Sequence, residues 1–336
     1  MSAPSEPAGT GPAAAPAVWV LHDGKPGMAS QALGLAEAAG FPFIEKRLAV
    51  RRPWAWLPPQ LWAMPLAAVT AEGGPLGAPW PDLVIGCGRN TVAPALAIRR
   101  ASGFHTALAQ VQDPRIGRGR FDLIVVPAHD RLRGERVVVT RGAVHRVTAA
   151  RLAAERARFS ALETLPRPIV AVLIGGANRS YRIDLPHLAE TADRLAASIR
   201  KSAGAALVTT SRRTGAAAEA VLRERLRGVP GEIWAGAGDN PYYAYLALAD
   251  AVVATADSVS MISEAAATGK PVHIIGLAGG DPKFARFHET MRQAGATRPF
   301  SGEIESWSYE PLDDTARAGA AVRELVARRV TPGALV

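Results

Sequence analysis

The sequence predicts an α/β protein with two doubly wound domains, each built on a parallel β-sheet. Short apolar segments rich in β-branched residues recur along the chain and alternate with helical patterns, as strands do in β-α-β units. The chain has 336 residues, of which 48% are hydrophobic, and this length can form two cores of ordinary domain size. A helix and a proline-bounded linker over residues 147–168 separate the two halves.

We therefore expect a first domain at residues 17–165 and a second at residues 166–330. A final helix near residues 314–329 would reach back and pack on the first domain. Residues 1–16 contain mainly Ala, Pro, Gly and Ser without periodicity, and such a segment cannot bury enough apolar surface to offset its ordering entropy. We expect a disordered tail there.

Composition excludes several classes of protein. The one cysteine, Cys87, rules out a disulfide framework and a thiolate zinc site, and the seven dispersed histidines form no H-x-x-x-H pair. We therefore expect neither a metal nor another cofactor. No stretch approaches the roughly 20 apolar residues of a membrane span. These features predict a cytoplasmic protein, and they leave room for peripheral association with the inner face of the membrane.

The net charge of +9 comes mainly from arginine. Arg binds planar anions such as phosphate with two parallel hydrogen bonds, so the excess fits an anionic ligand or an anionic membrane surface. An Arg- and Ala-rich composition explains it equally well. Because the basic residues are dispersed along the chain, we do not expect a nucleic-acid partner.

A proline-rich segment at residues 51–65 carries Trp54, Trp56 and Trp62 beside Arg51 and Arg52. Tryptophan flanked by arginine is typical of a contact with a membrane interface. The alternative is a connection that its tryptophans pack onto the domain.

Each predicted strand of the first domain ends in polar residues, and the carboxyl ends of such strands share one edge of the sheet, where ligands bind. His22 and Asp23 end the first strand, directly before the glycine-bearing turn at 24–27, and they are our candidates for an acid or base. The other predicted residues of this edge would face an acceptor: Lys25, Gly27, Gln31, Arg89, Asn90, Gln112 and Asp113. His129 and Asp130 follow the fifth strand and offer further titratable groups.

A capped helix between two strands, at residues 257–271, dominates the second domain. Asp257 or Ser258 would cap its start, where free N–H groups favour an anion, and Ser260 lies beside them. Glu264 follows one turn later on the same face, placed to accept hydrogen bonds from ribose or sugar hydroxyls. The alternative is a structural helix with a solvated Glu.

Two more loops of the second domain follow strands and combine glycine, hydroxyl and arginine side chains. Together with the start of this helix they predict a pocket for a diphosphate, with Arg212 or Arg213 as the clamp. Its members are Gly175, Gly176, Asn178, Arg179, Ser180, Ser211, Arg212, Arg213, Thr214, Asp257, Ser258, Ser260 and Glu264.

The second domain contains the run ADAVVATADSVSMISEAAATGKPVHII at 249–275, which resembles the nucleotide-sugar site of two-domain GT-B glycosyltransferases and of non-hydrolysing nucleotide-sugar epimerases. From about residue 17 to 330 the chain is similar to the mitochondrial-fission elongated-mitochondria family and its bacterial relatives. The matching motifs are HDGKPGMASQALGLAEA, DLVIGCGRNT, VQDPRIGRGRFDLIVVPAHD, GGANRSYRID, TTSRRTG and GDNPYYAYLALADAVVATADSVSMISEA.

The resemblance implies two Rossmann-like domains in a GT-B-like arrangement. It also implies that Glu264 holds a ribose and that Ser258 and Ser260 face a diphosphate. Many relatives carry a histidine where this chain has Met28, which cannot transfer a proton, so an acid or base must come from His22, Asp23 or another residue.

We therefore expect a metal-independent glycosyltransferase that takes a nucleotide sugar as substrate and has a lipid-linked or membrane acceptor. The alternatives are a nucleotide-sugar epimerase and a non-catalytic, membrane-associated scaffold.

Overall fold

The computed structural model describes residues 15–330, so the predicted tail at 1–16 lies outside the described residues except for its last two. The strands are β1 Val18–His22, β2 Phe43–Val50, β3 Val69–Glu72, β4 Leu83–Cys87, β5 Ala107–Val111, β6 Leu123–Pro127, β7 Val137–Thr140, β8 Ile169–Ile174, β9 Tyr181–Arg182, β10 Ala205–Thr210, β11 Gly231–Trp234, β12 Ala251–Thr255, β13 Val272–Ile275, β14 Ala278–Gly279 and β15 Thr297–Pro299. The α-helices are α1 Pro26–Ala39, α2 Arg89–Ala101, α3 Ala149–Arg158, α4 Leu185–Lys201, α5 Ala216–Arg225, α6 Tyr242–Leu248, α7 Val259–Ala266, α8 Pro282–Gln293 and α9 Asp314–Val330.

Two large sheets share the same order of strands. The first runs β3-β2-β1-β4-β5-β6-β7 and is parallel except for β3 at its edge. The second runs β11-β10-β8-β12-β13-β15 and is parallel throughout. In each sheet the chain order reverses beside the first strand, between β1 and β4 and between β8 and β12. These are the switch points at which open α/β sheets bind ligands, and the predicted pair of doubly wound domains is confirmed.

The strands form because apolar, β-branched residues fill positions that are buried on both faces of a parallel sheet. All residues of β1, β4, β8 and β12 are buried. Helices cover both faces of each sheet, with separate apolar clusters on the two sides. Each domain therefore has its own core.

The last helix, α9, packs on the first domain, as predicted. Ala318, Val322 and Leu325 join the apolar cluster that α1 forms with the first sheet. Gly319 permits this close approach, because a Cβ there would lie 2.5 Å from the carbonyl carbon of Ala38. The end of the chain thus ties the second half of the protein to the first.

The connection between the sheets packs on the second domain. Val147 is buried in the second domain's apolar cluster, and Leu152 and Leu165 pack against the same cluster. The division at 165 and 166 remains a prediction, and α3, assigned to the first domain by the sequence, contacts the second core.

The tryptophan segment forms two short 3-10 helices at Trp54–Trp56 and Pro59–Leu61. Trp62 is 5% exposed, and its Nε1–H donates to the carbonyls of Trp54 and Leu57. Trp54 packs against the first domain's core, whereas Trp56 is 74% exposed. Trp54 and Trp62 thus anchor the segment on the domain, as the alternative expects, and a membrane contact of the segment remains a prediction. Within residues 15–330, no helix combines the length and apolarity needed to cross a bilayer.

Candidate functional site

The switch point of the second domain is organised around the carboxylate of Asp257. Its side chain is fully buried and accepts hydrogen bonds from the Gly176 amide at 3.0 Å, from the Thr255 hydroxyl at 2.7 Å and from Arg213 Nη2 at 3.0 Å. The guanidinium offsets the buried negative charge, and the other two donors satisfy it further. Asp257 therefore ties together the ends of β8 and β12.

The same framework holds the loop after β10. Ser211 Oγ donates to the carbonyl of Gly175 at 2.9 Å, and Arg213 Nη1 donates to the carbonyl of Gly176 at 3.0 Å. Gly175 must be glycine here, because a Cβ would lie 2.1 Å from a carboxylate oxygen of Asp257. Thr214 is buried and its hydroxyl donates to the carbonyl of Ile174.

The structure thus brings the three predicted loops together, and we call residues 175–180, 211–214 and 256–260 the loop cluster. Asn178 and Ser180 form hydrogen bonds within the protein: Asn178 Oδ1 accepts from the Ser180 amide at 2.8 Å, and Ser180 Oγ donates to Asp281. Asp257 faces inward, and Arg213 pairs with it while staying partly exposed, so their predicted contacts with a ligand remain predictions.

Other groups of the loop cluster face outward. Arg179 and Arg212 are exposed, and within the described chain neither pairs with a carboxylate. Ser258 caps α7 by accepting from the Met261 amide at 3.3 Å, which decides between the two predicted caps. The amides of Val259 and Ser260 belong to the first turn, where a helix has no internal acceptor. This end of α7 can receive an anion.

Glu264 lies further along α7 and is 5% exposed. One carboxylate oxygen accepts from the Ser30 hydroxyl at 2.6 Å and the other from the Tyr242 hydroxyl at 2.6 Å. Burial raises the pKa of the Glu264 carboxyl, and the two hydrogen bonds lower it in part. The alternative of a solvated Glu is wrong, because Glu264 is enclosed between α6 and α1 of the first domain.

Residues predicted for the acceptor side meet α7 across the cleft between the domains. Gln31 is buried, and its Nε2 donates to Ser260 Oγ at 3.3 Å. Gln112 Nε2 donates to Gln31 Oε1 at 3.2 Å, and a Cβ on Gly27 would lie 3.0 Å from Ser260 Oγ. The two switch points therefore face each other, with the first turn of α1 against the first turn of α7.

Met28 fills the space beside this contact. Its sulfur lies 3.7 Å from Cys87 Sγ and 3.3 Å from Gln112 Nε2. The side chain packs against the ends of β4 and β5.

The two predicted acid or base residues differ in their surroundings. His22 is 2% exposed; its Nδ1 accepts from the Gly24 amide at 3.1 Å, and its Nε2 lies 2.8 Å from Glu45 Oε1. Both ring nitrogens are thus engaged. Asp23 pairs with Lys25 and lies 3.5 Å from Asn90 Nδ2, at the mouth of the first switch point. Both Asp23 oxygens are engaged as well, and the acid or base role of the two residues remains a prediction.

Except for Arg89, the remaining polar candidates of the first domain are held in ion pairs or domain contacts. Asp113 accepts from Arg118 Nη2 at 2.7 Å, and this guanidinium lowers the pKa of the Asp113 carboxyl. Arg89 opens α2 and is exposed. His129 is buried, and its carbonyl accepts from Arg286 of α8 at 3.2 Å; beside it Asp130 pairs with Lys283. The contacts of His129 and Asp130 with α8 thus join the two domains at a second place.

Sequence reasoning missed two residues of the cleft, Ser30 and Tyr242. Ser30 stands in the first turns of α1, and Tyr242 begins α6 in the motif PYYAY. The one available signal is that a buried tyrosine hydroxyl needs a hydrogen-bond partner. This rule does not show that the partner of Tyr242 is Glu264. No three His, Cys, Asp or Glu side chains of residues 15–330 gather as a candidate metal cluster.

Solved structures of other proteins share this fold. The chain superposes on UDP-GlcNAc 2-epimerase from Methanocaldococcus jannaschii with a TM-score of 0.53 and 12% identity, covering 92% of this chain and 98% of that one. It superposes on MnaA of S. aureus, solved with UDP, with a TM-score of 0.53 and 12% identity, covering 94% and 90%. At this identity the likeness concerns the fold, which is GT-B-like with two Rossmann-like domains.

Relatives are also found by sequence. The chain is 36% identical over 277 residues to the mitochondrial fission protein ELM1 of Arabidopsis thaliana; the match covers 74% of this chain and spans 65% of the plant protein's length. It is 24% identical over 283 residues to an uncharacterised protein of Rickettsia prowazekii. The model of the family described as Mitochondrial fission ELM1 matches residues 26–326. The chain therefore belongs to the Mitochondrial fission ELM1 family.

Proposed function

We propose that this protein binds a nucleotide sugar in the cleft between its domains and transfers the sugar without a metal ion. The observation that carries the proposal is the meeting of the two switch points, where the loop cluster and α7 face the first turn of α1. In this arrangement the diphosphate lies at the amides of Val259 and Ser260, and Arg179 and Arg212 neutralise its charge.

Glu264 holds the ribose in this proposal. Its two oxygens accept from the hydroxyls of Ser30 and Tyr242, which is the hydrogen-bonding pattern that two ribose hydroxyls would offer. A nucleotide therefore replaces at least the Ser30 hydroxyl. Since Ser30 belongs to the first domain, its release removes one of the contacts that hold α1 against α7.

Transfer then needs stabilisation of the leaving diphosphate and removal of a proton from the acceptor hydroxyl. The first turn of α7 and Arg212 stabilise the charge that develops on the leaving group. Asp23, on the opposite side of the cleft, accepts the proton. The acceptor approaches along the first domain past Lys25 and Asn90.

The test is a calorimetric titration with UDP and other nucleoside diphosphates, combined with turnover of a panel of nucleotide sugars. UDP comes first because the S. aureus neighbour was solved with it. Glu264→Ala and Arg212→Ala should each weaken binding about tenfold or more, because each removes hydrogen bonds to or from a charged group. Arg223→Ala, an exposed arginine in the last turn of α5, is the matched control and should bind as the wild type does.

Turnover separates the reaction classes. Release of nucleoside diphosphate in the presence of acceptor supports transfer. A new sugar isomer with no release indicates epimerisation, and nucleotide binding with neither product indicates a non-catalytic protein. Unchanged affinity in both the Glu264 and Arg212 variants would overturn the proposed site.

A further inference from the structure

A large groove lies on the first domain, away from the cleft. It has a volume of about 970 Å³ and is lined by the 59–65 segment, the C-terminal half of α2 and residues 116–120. Its walls include Trp62, Leu96 and Ile116, and none of its lining residues is acidic. The groove is therefore apolar with cationic side chains at its edge.

Apolar side chains stand out from the protein beside this groove. Trp56 is 74% exposed, and Leu61 and Met64 are each 61% exposed. On the helix side Phe104 is 64% exposed. We call Trp56, Leu61 and Met64 the apolar ridge. Large apolar groups that project together from a surface mark a contact with a partner or a membrane.

The charged side chains that line the groove or belong to the 51–65 segment are, among the described residues, all arginines. Arg51, Arg52, Arg100 and Arg120 have no carboxylate partner within residues 15–330, and the guanidinium of Arg52 lies 5.9 Å from the ring centroid of Trp56. Arg99, which also lines the groove, is neutralised by Asp122 at 2.9 Å. The segment at 51–65 contains no acidic residue. An anionic surface complements this face.

We propose that this face docks on a bilayer that contains anionic phospholipids. The ridge residues project instead of lining the groove, so they can insert among lipid headgroups, where tryptophan is favoured. The unpaired arginines then lie at the level of the phosphates, and each adds to the attraction. An acidic helix of a protein partner would fill the groove but leave the ridge in water, and the geometry therefore favours the bilayer.

The position of α2 connects this face with the cleft. Ala93 lines the groove, and Asn90 lies three residues earlier in the same helix, about 4.5 Å away along the axis. The groove and the cleft thus share α2 as a wall. The docking surface itself does not depend on the proposed sugar transfer.

The test is co-sedimentation of the full chain with vesicles of phosphatidylcholine alone or mixed with phosphatidylglycerol. Wild-type protein should bind the mixed vesicles and bind phosphatidylcholine much more weakly. The double variant Trp56→Ser, Leu61→Ser should lose about tenfold or more in affinity without a change in charge. The double variant Arg52→Gln, Arg100→Gln should lose the preference for phosphatidylglycerol.

The matched control is Arg223→Gln, Arg328→Gln, which removes two exposed charges from the last turns of α5 and α9. It should bind as the wild type does. If this control lost as much affinity for the mixed vesicles as the Arg52 and Arg100 variant, net charge alone would explain the effect, and the proposal would be overturned. Failure of the wild type to bind mixed vesicles, or self-association through the ridge in sedimentation velocity, would overturn it as well. All substituted side chains are exposed, so circular dichroism should be unchanged.

Discussion

Asp257→Ala should destabilise the second domain strongly, although the residue follows a strand at the edge of a cleft. The substitution removes the acceptor of two buried donors, the Gly176 amide and the Thr255 hydroxyl. An unsatisfied buried donor costs about 1 to 3 kcal/mol. Arg213 is 43% exposed, so water can hydrate it and its release adds little. Two such donors give an expected loss of about 2 to 6 kcal/mol.

Urea unfolding followed by circular dichroism measures this loss as a change in the free energy of unfolding. Asp193→Ala is the matched control, since its pair with Arg225 spans 3.3 Å between side chains that are 52% and 40% exposed. It should change the free energy of unfolding by less than about 1 kcal/mol. A loss below about 1 kcal/mol for Asp257→Ala would refute the reasoning, because the carboxylate would then not hold the loops.

Three further predictions concern α1 and the residues packed against it. Ser30→Ala should raise the affinity for a nucleotide by up to about tenfold, because it removes the hydrogen bond that a ribose must displace from Glu264; calorimetry checks this, and weaker binding would contradict it. Burial lowers the pKa of His145 to about 4, so its neutral form stabilises the fold above about pH 6.5 and this stability is lost as the pH falls through about 4. The loss in the free energy of unfolding amounts to about 3 kcal/mol. The free energy of unfolding of His145→Gln should therefore depend less on pH over this range than that of the wild type, and an equal dependence would refute the lowered pKa of His145. Gly34→Ala should lower the melting temperature, since its Cβ would lie 2.3 Å from the His145 carbonyl oxygen, whereas a Cβ on Gly119 meets nothing within 4 Å and Gly119→Ala should be neutral.

The sheets could be predicted because burial on both faces leaves a strong pattern. The runs at 17–23 and 249–256 are mainly apolar, with polar residues at the end of the first and directly after the second, and the structure has β1 and β12 there. The loops after the strands could also be placed together, because parallel strands end at one edge. The pattern does not give the direction of a side chain at a strand end. Asp257 follows β12 and turns inward to Arg213, which no periodicity indicates.

The contacts of the site residues could not be predicted, because their partners lie far away along the sequence. Glu264 was placed correctly on α7, but its burial depends on Ser30, 234 positions away along the chain. The tryptophans show the same limit. Trp56 and Trp62 occupy equivalent proline-rich surroundings in the sequence, yet one is exposed and the other is buried, because only Trp62 faces the first core.

Hydrogen exchange of the backbone amides with and without UDP tests the central claim most directly. If a nucleotide binds at the loop cluster, the peptides that cover 175–180, 211–214 and 256–266 should gain protection. The segment at 51–65 on the outer face should not change. The account would be contradicted if UDP did not change the protection of the loop cluster, or if it protected mainly the segment at 51–65.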